Sequence, residues 1–92
     1  MEDSNGETNE FLTIKLIQSG DIIKISLSKI NLKKQFNEVF KSLLRELKLK
    51  QKYAYLTSED GKMVSILDLN LSLEEIIKKF GMKLKLYYEK IF

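Results

Sequence analysis

The chain has 92 residues, 43% hydrophobic and 32% charged, which suits one small domain with a single core. It has no cysteine and no histidine, which excludes disulfides and thiolate metal sites and removes the residue most used in hydrolase triads, zinc sites and haem sites. The formal charge is +3, and since Glu2, Asp3, Glu7 and Glu10 put −4 into the first ten residues, residues 11–92 carry +7.

Residues 1–10 are polar, with Met1 their only apolar side chain, and read as a disordered acidic tail; residues 11–92 read as one domain. Nothing in the opening residues resembles a signal peptide, and no apolar run approaches the roughly 18 residues of a membrane span. The expected location is cytoplasmic, with no membrane span.

From Phe11 the pattern has period two: Leu12, Ile14 and Leu16 face one way, and Phe11, Thr13, Lys15 and Ile17 the other. Gln18-Ser19-Gly20-Asp21 is a turn in which Gly20 can take the positive φ of a tight hairpin. Alternation resumes with Ile23, Ile25 and Leu27 against Ile22, Lys24 and Ser26. Asn31 is placed to cap a helix over residues 32–49. In that helix Leu32, Phe36, Val39, Phe40, Leu43, Leu44 and Leu47 form one stripe. Burying those side chains contributes roughly 10 to 20 kcal/mol before chain entropy offsets most of it. Such a stripe requires a sheet or other helices to cover it.

Tyr53-Ala54-Tyr55-Leu56-Thr57 favours a strand, Ser58-Glu59-Asp60-Gly61 a turn, and Lys62-Met63-Val64 a returning strand. Ser72-Leu73-Glu74-Glu75 matches a capping box, Leu73, Ile76, Ile77 and Phe80 give a short helix its buried side, and Gly81 ends it. Residues 82–88 then alternate Leu84, Leu86 and Tyr88 with Lys83, Lys85 and Tyr87. The expected class is α+β, in the order β-β-α-β-β-α-β.

Four stretches in this order, LTIKLIQSGDIIKISL, the helix 32–49, YAYLTSEDGKMV and ILDLNLSLEEIIKKFGMKLKLYY, resemble the ubiquitin-like β-grasp family. The resemblance implies a mixed sheet of order 2-1-5-3-4 on one long helix, with the first and last strands parallel and central. The chain ends Tyr88-Glu89-Lys90-Ile91-Phe92, so it resembles members without a C-terminal diglycine, which act as non-covalent binding modules. A modifier or sulfur carrier with a processed or missing tail is the alternative.

If the helix covers one sheet face, parity leaves Lys15, Lys24, Tyr53, Tyr55, Lys83, Lys85 and Tyr87 on the other, and the resemblance implies that this surface binds partners. A protein with an acidic surface is the expected partner. Bases could stack on the tyrosines, but a field of lysines with one arginine, Arg45, beside an acidic tail disfavours nucleic acid. A second candidate surface is the edge of strand two, where Lys24, Lys29, Lys33 and Lys34 resemble the basic set that ubiquitin-like Ras-binding domains use. No catalytic residues, metal ligands or cofactor are expected, because Asp21, Glu59, Asp60 and Asp68 lie in turns and connections without metal-loop spacing.

Overall fold

The structure is a computed structural model that describes residues 10–89, so the acidic tail, apart from Glu10, lies outside the described residues. Its elements are β1 (Phe11–Leu16), β2 (Ile22–Ser26), α1 (Phe36–Leu47), β3 (Ala54–Ser58), α2 (Leu73–Phe80) and β4 (Lys83–Tyr88). The four strands form one mixed sheet of order β2-β1-β4-β3. β1 pairs antiparallel with β2, with Leu12 opposite Ile25, and parallel with β4, with Ile14 opposite Leu84. β3 pairs antiparallel with β4, with Leu56 opposite Leu86.

The hairpin between β1 and β2 closes where the Gly20 N–H donates to the Leu16 carbonyl at 2.7 Å, and Gly20 has φ +81°. Parity then sorts the side chains. Leu12, Ile14, Leu16, Leu56, Leu84 and Leu86 are buried against the α1 stripe of Phe36, Val39, Phe40, Leu43 and Leu44. Phe36 and Phe40, one helical turn apart, stack with ring centroids 6.3 Å apart. The expected inward set Ile23, Ile25 and Leu27 is only half-buried, since β2 is the sheet's outer strand and Leu27 already belongs to a short 3₁₀ turn, Leu27–Lys29.

Two expectations need correction. The long helix starts at Phe36 and ends at Leu47, rather than spanning 32–49. Asn31 closes a local turn instead of capping α1: its Oδ1 accepts the Lys33 N–H at 2.9 Å and its carbonyl accepts the Lys34 N–H at 3.0 Å. The backbone of the next residues is taken by the chain before α2. Leu32 and Lys34 carbonyls accept the Glu74 and Leu73 N–H groups at 2.9 and 2.8 Å, and the Phe36 N–H donates to the Leu71 carbonyl at 2.8 Å. A bridge between Gln35 and Ser72 sits inside this clasp. It satisfies the Phe36 N–H at the start of α1 and the Leu73 and Glu74 N–H groups at the start of α2, and α1 carries no side-chain cap.

The second correction concerns the strand order, which has four strands rather than the five of 2-1-5-3-4. Residues 62–64 make a single bridge, Met63 to Thr57, instead of a strand. The Ser58 hydroxyl bonds to Asp60 and accepts the Lys62 N–H at 2.9 Å, tightening the turn. Beyond Val64, the Ser65 N–H and hydroxyl both donate to Asp68 Oδ2, at 3.0 and 2.9 Å, which bends the chain away from β3. Lys79 holds the other Asp68 oxygen at 2.7 Å. These contacts push the Asp68 carboxyl down to about 2, the Lys79 hydrogen bond contributing most and the Ser65 N–H next.

The Ser72 capping box is formed in both directions, at 3.0 and 3.2 Å. α2 ends at Gly81, whose φ of +91° an L side chain adopts only with strain.

Candidate partner-binding sheet face

α1 lies on one side of the sheet, and among the described residues no helix or strand covers the other. Strand registers order that face into rows. Lys24, Thr13 and Lys83 run across β2, β1 and β4; Ile22, Lys15, Lys85 and Thr57 form the next row; Tyr87 and Tyr55 form the third. The lysines and tyrosines thus occupy opposite ends of the face.

At the aromatic end, Tyr55 and Tyr87 stack with centroids 5.0 Å apart and planes at 9°. This cross-strand pair is 45% exposed at Tyr55, so its outer surface is available to a partner. Tyr53 lies in the 3₁₀ turn Gln51–Tyr53 just ahead of β3, not within the strand. Its carbonyl accepts the Glu89 N–H at 2.9 Å, which extends the β3–β4 ladder by one bond. Tyr53, Tyr55, Tyr87 and Tyr88 line one depression of about 450 Å³ with Gln18, whose side-chain amide holds the Tyr88 backbone.

At the basic end, Lys15, Lys24, Lys83 and Lys85 surround a shallow depression of about 310 Å³ together with Thr13, Ile22 and Glu59. Lys24 Nζ also sits 5.7 Å from the centre of the Phe11 ring, within cation–π range.

Of the second candidate set, Lys24 belongs to this basic end, Lys29 ends the short turn after β2, and Lys33 and Lys34 precede α1. Lys33 is engaged elsewhere: its Nζ meets Glu74 Oε1 at 2.8 Å, and that hydrogen bond raises the lysine pKa while lowering that of Glu74.

Some exposed apolar residues lie outside the expected site. Phe11, Ile17 and Ile22 share parity with Thr13 and Lys15 or with Lys24, and Ile22 is 59% exposed. Their alternation in the sequence was the available signal. Ile66 and Leu67, 83% and 79% exposed, follow Val64, and Ile66 lines a groove of about 650 Å³ with Met63, Phe40 and Leu69. In the sequence, the adjacent aliphatic pair Ile66-Leu67 was the available signal.

No protein-family model matches the chain, and no curated protein matches it in sequence. A match in shape does exist among solved structures: the NMR solution structure of a computationally designed protein based on the template of human erythrocytic ubiquitin. It is similar with a TM-score of 0.63 at 20% identity, over 90% of this chain and 95% of that one. The fold is a ubiquitin-like β-grasp. In this β-grasp the helical layer fills one sheet face, and the tyrosine and lysine rows occupy the other. No helix among the described residues is long and apolar enough to cross a membrane.

Proposed function

We propose that this chain is a non-catalytic interaction module that binds an acidic surface of a protein partner through its uncovered sheet face. The observation that carries the reading is the stacked Tyr55–Tyr87 pair set beside four lysines on that face. Tyrosine rings present a large contact area with only two side-chain torsions to immobilise, so they anchor an interface at low entropic cost. Lysines at the other end attract an acidic partner during encounter and fix its orientation, which acts on association rate more than on residence time. Tyr53 extends the aromatic end. The ion pair of Lys33 with Glu74 favours this face over the strand-two edge, because it removes one cation from the edge set.

The test compares the wild type with Tyr55→Ala and Lys24→Glu. Partners captured from lysate are identified, and binding is then measured with purified proteins. Tyr55→Ala should weaken binding by about 30-fold or more if it is an anchor worth at least 2 kcal/mol. Lys24→Glu should mainly slow association and flatten its salt dependence. A partner that binds both variants as tightly as the wild type overturns the reading. So does capture of nucleic acid with a Kd of about 10⁻⁴ to 10⁻⁶ M at physiological salt.

A further inference from the structure

Val64 and Leu69 are buried, yet the residues between them put two aliphatic side chains into solvent, Ile66 being 83% exposed and Leu67 79%. The turn that presents them is firmly held. Asp68 Oδ2 accepts the Ser65 N–H and hydroxyl at 3.0 and 2.9 Å, the Asp68 N–H donates to the Ser65 hydroxyl at 3.2 Å, and Lys79 holds the other Asp68 oxygen at 2.7 Å. The backbone under Ile66 and Leu67 is therefore already ordered, which lowers the entropic cost of burying them against a second molecule. Beside them runs the groove of about 650 Å³, lined by buried Phe40, Leu56, Val64 and Leu69 and by Met63, which is 58% exposed. Projection and hollow thus lie side by side on one surface, the self-complementary arrangement that a two-fold interface needs.

We infer that two copies of this chain pair about a two-fold axis at this edge, with Ile66 and Leu67 of each copy seated in the groove of the other. Met63, Ile66 and Leu67 expose roughly 400 Å² per copy, so pairing buries about 800 Å² from them alone and about 1,000 Å² with the groove rim, the lower bound for a specific interface. That size suits a weak dimer, with a Kd between about 10 µM and about 1 mM. Charge favours a second copy over an acidic partner here. Residues 63–67 carry no charge, and Asp68 after them is neutralised by Lys79. An acidic partner would meet one cation in the groove, Lys52, against four on the sheet face. Lys15 and Lys24 lie on β1 and β2, away from β3, which keeps those charges of the two copies apart. Tyr55 borders both the groove and the tyrosine depression, so the pairing adjoins the sheet face and leaves its lysine end open.

Sedimentation equilibrium of the full chain from about 10 µM to about 1 mM should show the mass rising from one chain toward two. Across the same range the NMR amide signals of Met63, Ser65, Ile66 and Leu67 should shift, while those of Thr13 and Lys24 stay in place. Ile66→Asp and Leu67→Asp should each raise the dimer Kd at least about thirtyfold, because the symmetry brings each carboxylate into the interface twice. Both side chains are exposed, so the fold is kept, and Ile66→Ala, which adds no charge, should weaken pairing at least about fivefold. The contact is apolar, so raising salt from about 0.1 M to about 1 M should leave the Kd unchanged or lower it, as screening relieves the repulsion between two positive copies. A mass of one chain at about 1 mM overturns the inference, whether or not the groove then takes up an apolar dye or a different protein. Association that survives both aspartate variants, or that dissolves at about 1 M salt, lies at another surface and overturns it too. The measurement uses no ligand of the sheet face, so its outcome is independent of the partner-face reading.

Discussion

Truncating Tyr55 separates what the aromatic pair contributes to folding from what it offers a partner. With Tyr55 45% exposed, about half of a ring's 150–250 Å² lies against the protein, worth at most about 2–3 kcal/mol at ~25 cal/mol per Å². The stack on Tyr87, with centroids 5.0 Å apart, contributes a further coupling of about 0.5–1.5 kcal/mol. A domain of this size has roughly 4–12 kcal/mol of stability, so Tyr55→Ala should remain folded. The assay is a double-mutant cycle of Tyr55→Ala, Tyr87→Ala and both together, each unfolded in urea and followed by circular dichroism. Tyr55→Phe, which keeps the ring, should retain most of the coupling. A coupling energy below about 0.3 kcal/mol would refute the stack as an energetic unit. A loss above about 5 kcal/mol for Tyr55→Ala alone, beyond the sum of those two contributions, would instead mark the residue as core.

The Asp68 cluster makes stability depend on acid. Its carboxyl is held down to about 2 against an ordinary 3.8, so its contribution is fully present above the unfolded value and is lost as pH falls from about 4 through 2. Asp68→Asn should flatten that part of the stability curve in urea midpoints taken across this window, and an unchanged slope would show that the cluster is not coupled to folding. Lys48, which ends α1 at φ 60° and ψ 39°, holds a left-handed conformation that costs an L side chain roughly 1 kcal/mol. Lys48→Gly should raise stability by up to about 0.5 kcal/mol, after the glycine's greater unfolded entropy is subtracted, and calorimetry should show a Tm gain of at most about two to four degrees.

What could be read from the residues alone was whatever depends on near neighbours. The hairpin at Gly20, the Ser72–Glu75 box and the alternation of Leu84 and Leu86 with Lys83 and Lys85 are local patterns, and each appears in the structure. The start of α1 is not legible from the sequence because Leu32 suits both a helical stripe and the half-buried clasp it occupies. The deciding bonds come from Leu71, Leu73 and Glu74, about forty residues further on, where propensity has no view. The strand expected at residues 62–64 was lost to side-chain chemistry, since Ser58, Ser65 and Asp68 bond to nearby backbone and turn the chain. Alternation alone assigned the lysines of the face to one side of the sheet. It could not show that they gather at one end and the tyrosines at the other, because that order depends on the register between β1 and β4.

The central parallel pair also bears on timing during synthesis. Thr13 meets Lys83, and Lys15 meets Lys85, only after some seventy further residues have been made. A nascent chain that has not yet released β4 holds β1 and β3 with no strand between them, so it has neither a closed sheet nor the lysine depression. Closing that span costs more chain entropy than closing the β1–β2 hairpin. A ligand of this face would therefore engage only chains that have released β4, because the face is assembled from both ends of the domain.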